Sequence, residues 1–291
     1  DRIAANRAHA AQHVQELDTQ LSTTDLTPTR RAKAESERQY FQAVADGSKQ
    51  LYAWDHEQGS LIEVSGDPAT ATSALFVVPG TNTTEASFEG DTPITGFAAW
   101  QARSVPVLAF TVLTGPMPQL SLIGMIDNGP QNNHFAIDRA PEYANFVRGV
   151  KAASPGLRTM SYEHSYAGAI SSAAEAYGGT VDTRFMAGSV GALGPYQPDP
   201  DTTYYAAQAL DDINRAYTGA RNDEWGFDIG PEDFPGVHII DSGIPGADPA
   251  KIKALHDGDW AALGGMIKDK IDHHNALMSD DENINGTVLH A

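Results

Sequence analysis

The residue whose position carries the clearest chemical meaning is Ser165, within Leu157-Arg158-Thr159-Met160-Ser161-Tyr162-Glu163-His164-Ser165-Tyr166-Ala167-Gly168-Ala169-Ile170. The apolar and β-branched first half predicts a short strand. The small residues after Ser165 predict a helix running to Tyr177, stopped by Gly178-Gly179. A serine at the apex of a tight strand-turn-helix has its hydroxyl pushed beyond the carboxyl edge of the sheet, where it can attack a carbonyl. The competing reading is an ordinary helix N-cap serine. The usual pattern around such a nucleophile is G-x-S-x-G, and here it reads E-H-S-Y-A. Ala167 is a mild departure. Glu163 is a larger one, because a carboxylate two residues before the serine needs room and a partner.

A nucleophilic serine needs a base within hydrogen-bond reach and an acid to orient that base. In the matching layout the chain order is serine, acid, histidine. Asp211-Asp212-Ile213 follows the second strand after Ser165, where the acid belongs, and His256, His273, His274 and His290 follow the last strand. A glycine-containing turn, Pro79-Gly80-Thr81, closes an early apolar strand and can aim backbone N–H groups at a developing oxyanion. His238 lies within a strand and reads as structural.

These residues need a scaffold that brings distant segments to one edge. Apolar runs at 51–54, 61–64, 74–78, 105–112, 183–189, 202–209 and 237–242 predict strands in addition to the one before Ser165, the first two joined as a hairpin. Strands alternating with helices predict an α/β fold with a mostly parallel sheet covered on both faces. A helix is expected over 141–153. Residues 1–48 are polar and alanine-rich, with Ile3, Ala10, Val14 and Leu17 at helical spacing and a break at Thr27-Pro28. They predict a helical arm laid on a main domain spanning 49–291. The stretch from Leu113 to Ala136, with Leu122, Ile123, Met125, Ile126 and several prolines, predicts an apolar wall or lid over the serine.

The motifs together resemble a bacterial α/β-hydrolase family long catalogued as a domain of unknown function. Its members carry G-D-P…A, V-P-G-T, G-H-S-Y-G, G-S-P-G and D-P-I in that order. The matching residues are Gly66-Asp67-Pro68…Ala71, Val78-Pro79-Gly80-Thr81, His164-Ser165-Tyr166, Gly188-Ser189-Val190-Gly191 and Asp211-Asp212-Ile213. The resemblance runs from about Leu51 to the C-terminus. It implies the α/β-hydrolase fold, Ser165 as nucleophile, Asp211 as acid and His274 as base, with His273 and Asp212 as the alternatives. The N–H groups of Thr81 and Tyr166 are the expected oxyanion donors. No substrate follows from the resemblance; the expected reaction of a serine, histidine and acid so ordered is cleavage of a carboxylic ester, ahead of an amide, with no cofactor and no metal. The rival expectation is a silent descendant that only binds in the cleft. If Glu163 crowds the histidine, its charge would raise the imidazole's pKa and Glu163→Gly would shift activity toward acid.

Composition narrows the partners. The 291 residues are large enough for a sizeable core, and the chain has no cysteine, which removes disulfides and thiolate chemistry. A net charge of −19 and a pI near 4.7 argue against nucleic acid and anionic membranes as partners. No apolar run approaches the roughly 20 residues of a membrane span. The absence of cysteine and the Asp1 start leave secreted and cytoplasmic locations both open, and oligomeric state is not legible. Asp281-x-Asn283-x-Asn285-Gly286 matches the first half of a calcium loop, whose twelfth-position glutamate would fall beyond Ala291, and a C-terminal helix is the preferred reading.

Overall fold

The computed structural model describes residues 2–23, 25–90, 92–120, 129–194, 196–216, 227–259 and 261–291. Two helices come first, α1 (Arg2–Leu21) and α2 (Pro28–Asp46). The Thr27 side chain accepts from the N–H of Arg30 at the start of α2, and Pro28 sits where a missing N–H costs nothing. Ala10, Val14, Tyr40, Phe41 and Val44 are buried in the same cluster as Leu51, Phe76 and Phe110 of the sheet.

Eight strands follow among the described residues: β1 (Gln50–Asp55), β2 (Ser60–Ser65), β3 (Ser73–Val78), β4 (Val107–Leu113), β5 (Arg158–His164), β6 (Thr183–Ala187), β7 (Thr203–Ala207) and β8 (His238–Ile239). They form one sheet in the order β1-β2-β4-β3-β5-β6-β7-β8. β1 and β2 pair antiparallel, as do β2 and β4, and every pair from β4/β3 to β7/β8 is parallel. This is the strand order and connectivity of the α/β-hydrolase fold.

The helices α3 (Pro93–Ser104), α4 (His134–Ala153), α5 (Ala167–Glu175), α6 (Pro249–His256), α7 (Ala261–Ala276) and α8 (Glu282–Leu289) complete the chain. The run Leu75-Phe76-Val77-Val78 is continuously apolar because β3 is central and both its faces are covered. Phe76 and Val78 enter the core shared with α4 and α5, while Leu75 and Val77 enter the core shared with α3 and α8. Each such side chain contributes about 1.5–3 kcal/mol by leaving water.

One segment differs from expectation, and a second takes the preferred of its two readings. The helix expected from Pro141 begins at His134, with Pro141 inside it. Ala136, Ala140, Tyr143, Ala144, Val147 and Val150 are buried along one stripe of α4, and that packing outweighs the bond proline forgoes. The calcium-like segment is a helix start instead of a metal loop. Asp281 caps α8 by accepting from the N–H of Asn283, and the Asn285 amide donates to the Leu277 and Ser279 carbonyls. Among the described residues no cluster of His, Asp and Glu could hold a metal ion, and no helix is long and apolar enough to cross a membrane.

Candidate active site

The parallel register levels the carboxyl ends of the central strands. Val78 pairs with Glu163, His164 with Ala187, and Ala187 with Ala207. The next residues on these strands converge on one edge. Ser165 has φ +59°, a left-handed conformation uncommon for a residue with a Cβ. Its N–H donates to Ala187 O (3.1 Å), and its own carbonyl accepts from Val190 N (3.0 Å), so both sides of the turn are held by the segment after β6. Gly80 comes close enough that a Cβ on it would lie 2.5 Å from Ser165 Cβ. Glycine is required there, and Thr81 follows in the wall of the site.

His274, near the C-terminal end of α7, enters from the opposite side. Its Nδ1 lies 3.0 Å from each carboxylate oxygen of Asp212, which is buried. Asp212 Oδ1 also accepts from the N–H of Asn214 at 2.8 Å, so the carboxylate is fixed by its own loop. Ser165, His164, His274, Thr81, Asn82, Asn214 and Asn275 line a cavity of about 130 Å³, walled by the apolar side chains of Leu120, Pro130, Val190, Ile213, Phe227 and Ile271.

Asp211 does not meet His274. Its Oδ1 is 2.9 Å from Nδ1 of His273, and that pair stands beside the first. Two adjacent aspartates and two adjacent histidines pair in parallel, because neighbouring side chains point in different directions on both segments. The expectation that Asp211 orients His274 is therefore corrected to Asp212, and the alternative pairing of Asp211 with His273 exists but lies off the cavity lining. Nothing in the order of residues could separate the two registers.

Glu163 is also resolved. It is fully buried and points to the α5 side of β5, away from His274. Arg184 of β6 grips it in a two-pronged pair, Nε to Oε1 at 2.7 Å and a terminal nitrogen to Oε2 at 2.6 Å. The same guanidinium reaches Glu175 (2.7 Å), Ser172 Oγ (3.1 Å) and the Gly168 carbonyl (3.3 Å). The carboxylate, standing where the usual elbow pattern has glycine, has turned to a polar partner in a buried network bracing α5 and does not crowd the histidine.

Three residues contribute that sequence reasoning passed over. Gly188, at φ +54°, clears the acid–base pair, since a Cβ there would come within 2.9 Å of both Asp212 Oδ2 and His274 Nδ1. The Asn214 amide donates to Gly188 O (2.7 Å) and reaches Ser165 Oγ at 3.4 Å. His164, buried under the site, bonds through Nε2 to the His274 carbonyl. Gly188, as the first residue of the G-S-V-G motif, and His164, in the H-S-Y match, carried a signal, and Asn214 carried none. Tyr166 is buried, its hydroxyl donating to Asn132 O and accepting from the N–H of Ala136, which ties the elbow to the start of α4. Of the expected lid, Met117 is buried in the core and Leu120 and Pro130 line the cavity, while 121–128, with Leu122, Ile123, Met125 and Ile126, lie outside the described residues.

No protein-family model matches the sequence, and no curated protein matches it. Solved structures do match. A dienelactone hydrolase from Anabaena variabilis is 14% identical over 74% of this chain and 96% of its own, with a TM-score of 0.41. An α/β serine hydrolase without lid from Xanthomonas campestris is 14% identical over 72% of this chain and 88% of its own, at 0.36. A predicted CIB-like hydrolase from Thermoplasma acidophilum is 10% identical over 76% and 94%, at 0.35.

Proposed function

We propose that this protein is a serine hydrolase that cleaves a carboxylic ester with an apolar acyl group. The observation that carries the reading is the Asp212–His274 pair opening onto the same small cavity as Ser165, with the serine held in a left-handed turn at the strand ends. Ser165 Oγ attacks the ester carbonyl while His274 Nε2 takes its proton. Asp212 holds the proton on Nδ1, which leaves Nε2 free to act as base, and stabilises the imidazolium that forms. The N–H groups of Tyr166 and Thr81 receive the oxyanion, each such donor lowering the barrier by on the order of 3 kcal/mol. The proton then passes to the leaving alcohol, and water, activated by His274 in turn, releases the acid from Ser165.

The apolar wall supports an alkyl or aryl acyl group over a sugar, because a polar substrate would leave its hydroxyls unpartnered against Val190, Ile213, Phe227 and Ile271. We further propose that the chain is a divergent member of the family with the G-H-S-Y-G elbow. Glu163, which favoured a silent binding descendant, is occupied by Arg184 and does not obstruct the base. The test is turnover of short aryl esters together with covalent labelling of Ser165 by a fluorophosphonate. Both are expected in wild type and lost in Ser165→Ala. A wild type that takes neither ester nor probe refutes the reading.

A further inference from the structure

His164 has a side chain that the proposed reaction does not use. It ends β5 directly before the serine, and strand alternation sends it to the face opposite Glu163, toward α7. There Nε2 lies 3.1 Å from the backbone carbonyl oxygen of His274. The two imidazole rings stack obliquely, their centres 4.6 Å apart and their planes at 37°. A carbonyl oxygen can only accept, so Nε2 of His164 carries the proton and the contact is an N–H···O bond. It joins residues 110 positions apart, the strand of the nucleophile and the backbone of the base.

We propose that His164 is a positioning residue for His274, fixing the main chain of the base against the elbow and presenting one face of its ring to the imidazole. The inference rests on the reading of Ser165, His274 and Asp212 given above. Asp212 and His164 then constrain different things. Asp212 sets the tautomer and direction of the His274 ring through Nδ1. His164 sets where that ring starts from, by holding its backbone at a fixed height above Ser165. The tether is needed because α7 leaves Leu263 and Ile267 at least 40% exposed, with Ile271 on the same side bordering the open cavity.

Charge gives the arrangement a second consequence. The groups facing His164 are His274 from α7 and Asp212 from the loop after β7. Burial, reinforced by His274, lowers the His164 pKa to about 3, so its ring stays neutral at ordinary pH. Two imidazolium rings at this separation would repel each other. Keeping His164 uncharged leaves His274 free to hold the one proton that catalysis moves.

Two substitutions separate donor from ring. His164→Gln retains an N–H donor of similar reach without the ring, and His164→Phe retains a flat ring without the donor. On a short aryl ester His164→Phe is expected to lower kcat on the order of 10- to 100-fold with KM unchanged, as a displaced catalytic group does, and His164→Gln to stay within about threefold of wild type. Full kcat in His164→Phe, or equal losses in both variants, overturns the positioning role. Nitrogen-15 NMR of the wild type gives a readout independent of activity and of variant folding. His164 is expected to stay a neutral Nε2–H tautomer between about pH 5 and 8, where a free imidazole titrates, and a midpoint near 6.5 would overturn the inference. Failure of the hydrolase reading itself looks different: wild type then shows no turnover and no labelling of Ser165, whatever the NMR of His164 reports.

Discussion

Two assemblies of acid and base lie on opposite faces of β5, one residue apart. On the Glu163 side Arg184 joins Glu163 and Glu175 in a network closed by Ser161, Ser172 and Tyr196, with Tyr204 and Phe234 against the guanidinium. On the His164 side Asp212 and His274 form a pair whose far end opens on a cavity. Both bury an acidic and a basic side chain at hydrogen-bond distance, yet they suit different tasks. A guanidinium cannot give up its proton, and here its carboxylate partners raise its pKa further against the opposing effect of burial. Every strong donor is committed, so the network can only hold α5 in place. The imidazole of His274 is bound to Asp212 through one nitrogen and keeps the other for a substrate. Proximity of charge therefore does not mark a reactive centre, and under the proposed reading a titratable member with an open face does.

The largest expected effect concerns which aspartate belongs to the reactive assembly. Asp212→Asn should lower kcat by about 10⁴-fold, because an amide in that place favours the wrong imidazole tautomer. Asp211→Asn should change it only a few-fold, at a distance from the reacting atoms where loss of one hydrogen bond is felt weakly. Steady-state kinetics of the two variants on one ester decide it, and the reverse order would return the acid to Asp211.

Next comes the closed network. Glu163→Gln or Glu163→Gly leaves a buried guanidinium short of a partner and should destabilise the fold by about 3–5 kcal/mol, read as the midpoint of denaturant unfolding. Labelling of Ser165 in the remaining folded protein should keep its wild-type pH dependence. A Glu163→Gly variant of unchanged stability whose activity moves toward acid would erase the distinction between the two assemblies.

A smaller effect follows from His164. Its folded pKa is depressed to about 3, while in the unfolded chain it titrates near 6.5. Between those values the unfolded state binds the extra proton, so stability rises with pH across this window and is lost as pH falls below about 6.5, by up to about 1.4 kcal/mol per pH unit. Chemical denaturation of wild type and His164→Phe at a series of pH values checks it. The variant should show a shallower acid slope.

The smallest effect tests the same principle far from the elbow, where His13 of α1 meets Glu37 of α2 at 2.8 Å. Hydrogen bonding to Glu37 raises the His13 pKa, and hydrogen bonding to His13 lowers that of Glu37. The histidine's contribution is complete below about 6.5 and fades as pH rises above its folded value, whereas the carboxylate's is complete above about 4.5 and fades as pH falls. The pair should therefore support the two helices best between about pH 4.5 and 6.5, by no more than about 1 kcal/mol at this partly exposed position. Hydrogen exchange of α1 in wild type and His13→Gln measures it, and equal exchange at pH 5.5 in both would remove His13 from the account.

Much of the scaffold is legible from pattern. The central strands answer to apolar runs in the sequence, because a strand buried in a covered sheet must be apolar whatever it pairs with, while the exposed edge strand β8 takes only His238–Ile239 of the expected 237–242. The turn at Gly80 and the strand-to-helix turn at Ser165 are legible for a related reason, since small residues mark places where backbone must approach backbone. The start of α4 was hidden, as Pro141 gave a strong local stop that only the buried stripe on that helix overrides.

The sequence by itself determined the fold class, the position of the strand-to-helix turn at Ser165 and the chain order in which Ser165, the two aspartates and the two histidines follow one another, all properties of local pattern and spacing. Tertiary structure alone decided which of two neighbouring aspartates meets which of two neighbouring histidines, that Glu163 is claimed by an arginine 21 residues away, that Gly188 leaves room for the Asp212–His274 pair and that Asn214 reaches the serine. Those outcomes turn on the direction of individual side chains across about 3 Å gaps between segments far apart in the chain. Such directions are set by strand register and helix rotation, and a one-residue change in either would exchange every partner.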